Sequence, residues 1–88
     1  MVLWVRTLLV TVPPADLVDA RSGHLEHLRR LKADGRLRVA GEIGDGDGFL
    51  DIFEAVDRRE AEAIARSSPL VEEGLGTWIL REWADLPL

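Results

Sequence analysis

The stretch LRVAGEIGDGDGFLDIFEAV, residues 37–56, decides the fold. LRVAGEI at 37–43 alternates in the manner of a strand, GDGDG at 44–48 is a turn cluster, and FLDIFEAV at 49–56 is a second strand. Two apolar strands joined by a Gly-Asp turn form a β-hairpin. Before it, residues 21–33 read as a helix with Leu25, Leu28 and Leu31 spaced for one buried face, and Asp34-Gly35 supplies the stop. After it, Asp57 is placed to cap a second helix, with Glu60 in the capping-box position and Ala61, Ile64 and Ala65 behind. Pro69 interrupts that helix, and Gly74 and Gly76 close the segment.

The two ends complete the pattern. VLWVRTLLVTV at 2–12 is a β-branched run halted by Pro13-Pro14, and LGTWILREW at 75–83 is a fourth strand. The order is therefore βαββαβ. This is the ferredoxin-like split βαβ plan, an α+β fold with a four-stranded antiparallel sheet and two helices on one face. A single domain over residues 1–88 is expected, with no repeat or linker dividing it.

The strand phases add a second expectation. A sheet covered on one face by helices and on the other by water should alternate cleanly. Here Leu3, Val5 and Leu9 share one phase of the first strand, and Val2, Trp4, Leu8 and Val10 the other. The third strand sets Phe49 and Phe53 against Leu50, Ile52 and Val56; the fourth sets Trp78 and Leu80 against Ile79 and Trp83. Both sheet faces are apolar and the helices cover one, so a homodimer joined sheet to sheet is expected.

Composition limits the function classes. The 88 residues carry 11 Lys+Arg against 16 Asp+Glu, a net charge of −5, and 47% are apolar. No basic stripe is available to neutralise phosphates, which argues against nucleic acid as a partner. The opening apolar run contains Arg6 and is too short to cross a bilayer, so no membrane association is expected. With no Cys, disulfides, thiolate metal sites and cysteine nucleophiles are excluded. A cytoplasmic protein fits. A domain of this size buries only roughly 60–65% of its unfolded surface, so a partner would add stability.

Few side chains can carry chemistry. His24 and His27 lie three residues apart on the first helix. A metal reading of that spacing needs a third ligand, and none is expected. His24, one turn before Leu28, sits at the edge of the buried stripe and is the candidate general acid/base, since an ordinary imidazole titrates near neutrality. A partly buried polar residue that merely orients the helix fits the same spacing. His27 reads as surface. Arg6, Arg38, Glu42, Asp51, Glu54 and Arg81 interrupt strand runs, and a buried unpaired charge is costly. Arg6 and Asp51 stand out because the first and third strands are central in this plan. With Trp4 and Glu42 they are the candidate substrate-binding residues, set against ion pairs, solvent exposure and, for Trp4, a core role. The GEIGDGDG run lacks the ending of a phosphate loop and the closing Glu of an EF-hand; it is a turn.

Several stretches together resemble the YCII-related (YciI-like) family: RSGHLEHLRRL at 21–31, DGRLRVAG at 34–41, GFLDIFEA at 48–55, REAEA at 59–63, SSPLVEEGL at 67–75 and WILREW at 78–83. The resemblance implies a ferredoxin-like fold that dimerises sheet to sheet into an α+β barrel. It also implies a His–Asp pair in a pocket. The family's histidine matches His24, but its aspartate, before the proline of a D-P-[FYL]-V segment, matches Ser68 in SPLV. A Ser hydroxyl orients a ring without supplying a charge, so a proton-transfer role that depends on the pair lacks its carboxylate here. LWVRTLLVTVPP at 3–14 and SPLV also resemble muconolactone isomerases, on the same barrel plan. Both resemblances imply a cofactor-free lyase or isomerase that moves protons on a small cyclic or unsaturated carbonyl compound, with His24 as acid/base, Ser68 orienting it and Arg6 holding an anionic group. The alternative is a non-catalytic ligand-binding or accessory dimer, which the serine favours.

Overall fold

The computed structural model describes all of residues 1–88. Strand β1 (Val2–Val10) leads through a 3-10 turn (Pro14–Asp16) to helix α1 (Val18–Ala33). The hairpin of β2 (Leu37–Ile43) and β3 (Gly48–Ala55) follows, then α2 (Arg58–Arg66), the short α3 (Pro69–Glu72) and β4 (Gly76–Trp83). All pairings are antiparallel, in the order β2-β3-β1-β4, so β1 and β3 are central. This is the ferredoxin-like α+β plan. No helix is long and apolar enough to cross a membrane.

Local chemistry explains the boundaries. Gly44 and Gly46 adopt φ of 63° and 87°, the left-handed conformation that lets the GDGDG turn reverse the chain. Asp57 caps α2 by accepting the Glu60 N–H at 2.9 Å. Glu60 reaches back not to the cap residue but to the N–H of Val56, at 3.1 Å. Pro69 does not simply end α2. It starts a separate turn of helix, α3, whose N-cap is Ser68. β1 stops at Val10 rather than Val12: the Thr11 N–H still bonds the Leu75 carbonyl opposite it, but the Leu75 N–H turns to the Leu70 carbonyl instead of returning the bond.

The helix-side face of the sheet carries Trp4, Arg6 and Leu8 of β1 opposite Phe53, Asp51 and Phe49 of β3, all buried. Leu3, Val5, Leu9, Leu50, Ile52 and Ile79 occupy the opposite phase. No element of the chain covers that face, and Ile79 is 60% exposed there. A contiguous apolar patch of this kind is unusual on a lone protomer.

Candidate functional site

The polar residues of the interior gather beneath α1. Arg6 and Asp51 face each other across the β1–β3 ladder, and both are almost wholly buried. Arg6 Nε and Nη2 donate to Asp51 Oδ1 and Oδ2 at 3.0 and 3.1 Å, a bidentate arrangement. Arg6 Nη1 donates to the Ala65 carbonyl at 2.8 Å, in the last turn of α2, where carbonyls lack helical partners. Burial pushes the Asp51 carboxyl up, against the opposing pull of Arg6. All three of the Arg6 nitrogens already have partners, so the geometry does not match an anion clamp. The pair ties the sheet to α2.

His24 is fully buried rather than at the edge of the stripe. Its Nδ1 lies 2.7 Å from Ser68 Oγ, and that oxygen also accepts the Leu70 N–H at 3.3 Å. A serine oxygen has two lone pairs, so accepting from Leu70 does not by itself set the direction of this bond. His24 Nδ1 is the acceptor within reach of the Ser68 hydroxyl hydrogen, and the tautomer that uses that hydrogen carries the ring proton on Nε2. That Nε2 has no hydrogen-bond partner. The His24 ring packs on Phe49 with centroids 4.9 Å apart. Burial, reinforced by the nearby Arg6 charge, lowers the His24 pKa to about 3. His24 is thus a neutral imidazole at pH 7 rather than a group titrating near neutrality.

His27 corrects the sequence reading. It is 7% exposed, not a surface residue, and its Nε2 is likewise buried without a partner. The ring centroids of His24 and His27 lie 6.0 Å apart. Burial and Arg6 lower the His27 pKa to about 4. A buried polar atom with no partner costs about 1–3 kcal/mol, so two on one helix face are a notable expense.

The remaining candidates separate. Trp4 lies in the core with Phe53, Ala61, Ala65 and Leu80, with the Arg58 guanidinium 5.7 Å from its ring centre. It lines neither cavity and serves as a packing residue, not a pocket wall. Glu42 pairs with Arg21 of α1 and borders two cavities. The outer cleft, of about 370 Å³, is lined by Val10, Val12, Leu17, Arg21 and Asp47 among others, a volume typical of small-molecule sites. The inner pocket, of about 110 Å³, is lined by Leu25, Leu28, Ala40, Gly41, Glu42 and Phe49. Glu42 is common to both cavities. Phe49 is common to the inner pocket and the His24 contact. Neither cavity is lined by His24, Ser68, Arg6 or Asp51 directly.

Sequence reasoning missed Arg21, Phe49, His27 and Gly23. A Cβ at Gly23 would lie 2.7 Å from Pro69 Cγ, so the absence of a side chain lets α1 approach α3 closely enough for His24 to meet Ser68. A glycine directly before the candidate histidine was the available signal.

Comparison with known proteins fits this architecture. Residues 8–84 match the YCII-related domain. YjpA of Bacillus subtilis (strain 168), described as uncharacterized, is 37% identical over 62 residues, 70% of this chain and 73% of YjpA. Among solved structures, the chain resembles 5-chloro-2-hydroxyhydroquinone dehydrochlorinase (TftG) of Burkholderia phenoliruptrix AC1100, in complex with 2,5-dihydroxybenzoquinone. The TM-score is 0.72 at 24% identity, over 92% of this chain and 93% of that one. A muconolactone isomerase superposes with a TM-score of 0.78 at 17% identity, over 97% of this chain and 91% of that one. These two likenesses speak to the fold. The match over residues 8–84, together with the YjpA relationship, shows that the chain belongs to the YCII-related domain family.

Proposed function

We propose that this protein is a cofactor-free lyase or isomerase, acting as a cytoplasmic homodimer on a small cyclic or unsaturated carbonyl compound. One observation carries the reading: a neutral, buried His24 whose Nδ1 is held by Ser68 and whose Nε2–H has no partner. A preorganised neutral donor in a dry site suits the oxygen of a carbonyl as it turns into an enolate. Glu42 is the one charged residue lining the inner pocket, and it is the base in this scheme. The Glu42 carboxylate takes a proton from the carbon next to the carbonyl, and the electron pair moves to the oxygen facing His24. Returning the proton to another carbon completes an isomerisation; expelling a leaving group from the neighbouring carbon completes an elimination. Phe49 stands between the inner pocket and His24, so its ring must turn for a substrate to reach Nε2. The fold likenesses to a dehydrochlorinase and an isomerase support this reaction class.

The uncovered sheet face supports the homodimer. Leu3, Val5, Leu50, Ile52 and Ile79 form an apolar centre, with Arg38 and Glu54 paired beside them. Two such sheets stacked roughly 10 Å apart would bury it.

The test is hydrogen–deuterium exchange next to the carbonyl of small lactones and cyclic enones in D2O, followed by NMR. Exchange above the buffer rate, falling about 10²–10⁴-fold in His24→Ala and Glu42→Gln, is expected. Exchange no faster than buffer across such compounds would remove the enzymatic reading. A second reading, a non-catalytic binding module, is favoured by Ser68 standing where the family has a carboxylate and by the sealing of His24 from both cavities. Ligand binding without exchange would establish it.

A further inference from the structure

We propose that the outer cleft is a binding site for a small organic cation with an apolar body, of the alkyl- or aralkylammonium class. The site needs no role for His24 and lies beyond the reaction proposed above. Room for a ligand is present, since the cleft has a volume of about 370 Å³, within the range of small-molecule sites. Val10 shares the strand phase of Trp4, Arg6 and Leu8, so the cleft opens on the helix side of the sheet. A second protomer on the other face would leave it open.

Two segments line it. Val10 and Val12, where the chain leaves β1, and Leu17 and Val18, where α1 begins, give an apolar side. Val18 is 67% exposed there, an aliphatic side chain that nothing in the chain covers. The hairpin turn gives the polar side and is tied to the apolar one, because the Val10 N–H donates to the Asp47 carbonyl at 2.8 Å.

Charge selects among ligands that fit. Arg21 is the only Lys or Arg lining the cleft, and it is already paired with Glu42. Asp45 and Asp47 also line it, and neither has an ion-pair partner. With Arg21 and Glu42 cancelling, these two carboxylates remain uncompensated. Segments 10–28 and 39–49, which build the cleft and its surroundings, contain no further Lys or Arg, while Asp16 and Asp19 add negative charge beside Leu17 and Val18. An anion entering here meets like charge, and a neutral molecule gains only the apolar contact. An organic cation gains that contact and the negative potential focused in the cleft. No group of His, Cys, Asp or Glu is placed to hold a metal ion, and the aliphatic side calls for an organic body.

The probes are benzylammonium, benzyl alcohol, benzoate and methylammonium, titrated into protein with ¹³C-labelled Val and Leu methyl groups and followed by NMR. Benzylammonium is expected to shift the Val12 and Val18 methyls. Benzyl alcohol is expected to shift the same methyls with an affinity about tenfold lower, because two exposed charge contacts are lost. Benzoate has the wrong charge and methylammonium lacks the apolar body, so neither is expected to shift them. Asp45→Asn/Asp47→Asn changes only exposed turn positions. It is expected to bring benzylammonium down to the affinity of the alcohol and to leave the alcohol unchanged; added salt is expected to do the same to the wild type.

Equal wild-type affinities for benzylammonium and the alcohol would remove the charge selection and overturn the proposal. Binding of benzoate would overturn it by making Arg21 the recognising group. A methylammonium response equal to that of benzylammonium would reduce the effect to loose ion pairing. Shifts confined to Leu25 and Leu28 would place the ligand in the inner pocket instead, and no shift at all would leave the cleft without a ligand of this class. The wild-type series decides the matter even if the double variant does not fold.

Discussion

Ser68 Oγ lies 2.7 Å from His24 Nδ1 while accepting the Leu70 N–H, so one hydroxyl both caps α3 and holds the ring carried by α1. Ser68→Ala removes both bonds and is expected to cost about 1–3 kcal/mol in urea unfolding. Ser68→Asp keeps a capping oxygen and places there the carboxylate that the family resemblance implies. A carboxylate beside Nδ1 favours the imidazolium, so the His24 pKa, now about 3, is expected to rise. An NMR titration of His24 reads the change; an unmoved pKa would show that the ring is not oriented through this residue.

The two lowered imidazoles make stability depend on pH with a definite sign. In the unfolded chain each histidine binds a proton near pH 6.5; in the fold they do so only near pH 3 and 4. Between pH 6.5 and about 4 the unfolded state holds more protons, so stability is fully present above pH 6.5 and falls as the pH drops. The slope approaches about 1.4 kcal/mol per pH unit for each histidine. The raised Asp51 carboxyl works in the opposite direction at lower pH. The comparison is therefore of slopes, wild type against His24→Asn/His27→Asn, in urea melts at pH 7.5, 6 and 5. Equal slopes would mean that the histidines are not buried as neutral groups.

Gly23→Ala tests the approach of α1 to α3. Alanine is the better helix former by about 1 kcal/mol, but its Cβ would sit 2.7 Å from Pro69 Cγ. Overpacking of this kind costs about 1–3 kcal/mol, so the net change is destabilising. Relief requires the helices to part, which lengthens the His24–Ser68 contact. The expected signature is a changed His24 side-chain NMR spectrum together with a lower melting temperature. A stabilised protein with an unchanged His24 signal would contradict the geometry.

Much of this architecture could be read from spacing. The GDGDG turn, the halt before Pro13 and the Asp57 cap each act within a few residues, and so the element order was legible. The two apolar strand phases also carried over into two apolar sheet faces. The histidines were harder. The buried arc of α1 runs through Ala20, His24, His27, Leu28 and Leu31, whereas Leu25, chosen from its hydrophobicity, is only half-buried. Two polar residues inside the arc hid its true centre. The roles of Arg6 and Asp51 depended on strand register, which links residues 45 apart in sequence and leaves no local trace. The same holds for Arg21 with Glu42.

The Arg6–Asp51 pair predicts asymmetric mutational costs. Asp51→Ala leaves a guanidinium buried without its partner and is expected to cost about 3–5 kcal/mol, a large share of a typical total of about 5–15 kcal/mol. Replacing both residues, as in Arg6→Met/Asp51→Leu, leaves no buried charge and is expected to recover most of that loss. Chemical denaturation measures both. A single variant as stable as wild type would mean that water reaches the pair.

Ile79 decides the assembly. It lies opposite Thr7 on the face that no helix covers, and it is 60% exposed in the protomer. A substitution there should leave the protomer's own core intact. In a sheet-to-sheet dimer the same side chain is buried against the partner, where an unpaired carboxylate carries a heavy desolvation cost. Ile79→Glu is therefore expected to shift sedimentation from a dimer of about twice 9.8 kDa to the monomer, with the far-ultraviolet circular dichroism preserved. If the wild type sediments as a monomer at micromolar concentration, or the variant remains dimeric, the apolar face serves another purpose. Loss of dichroism along with the dimer would show instead that the small core of an 88-residue protomer cannot stand without its partner.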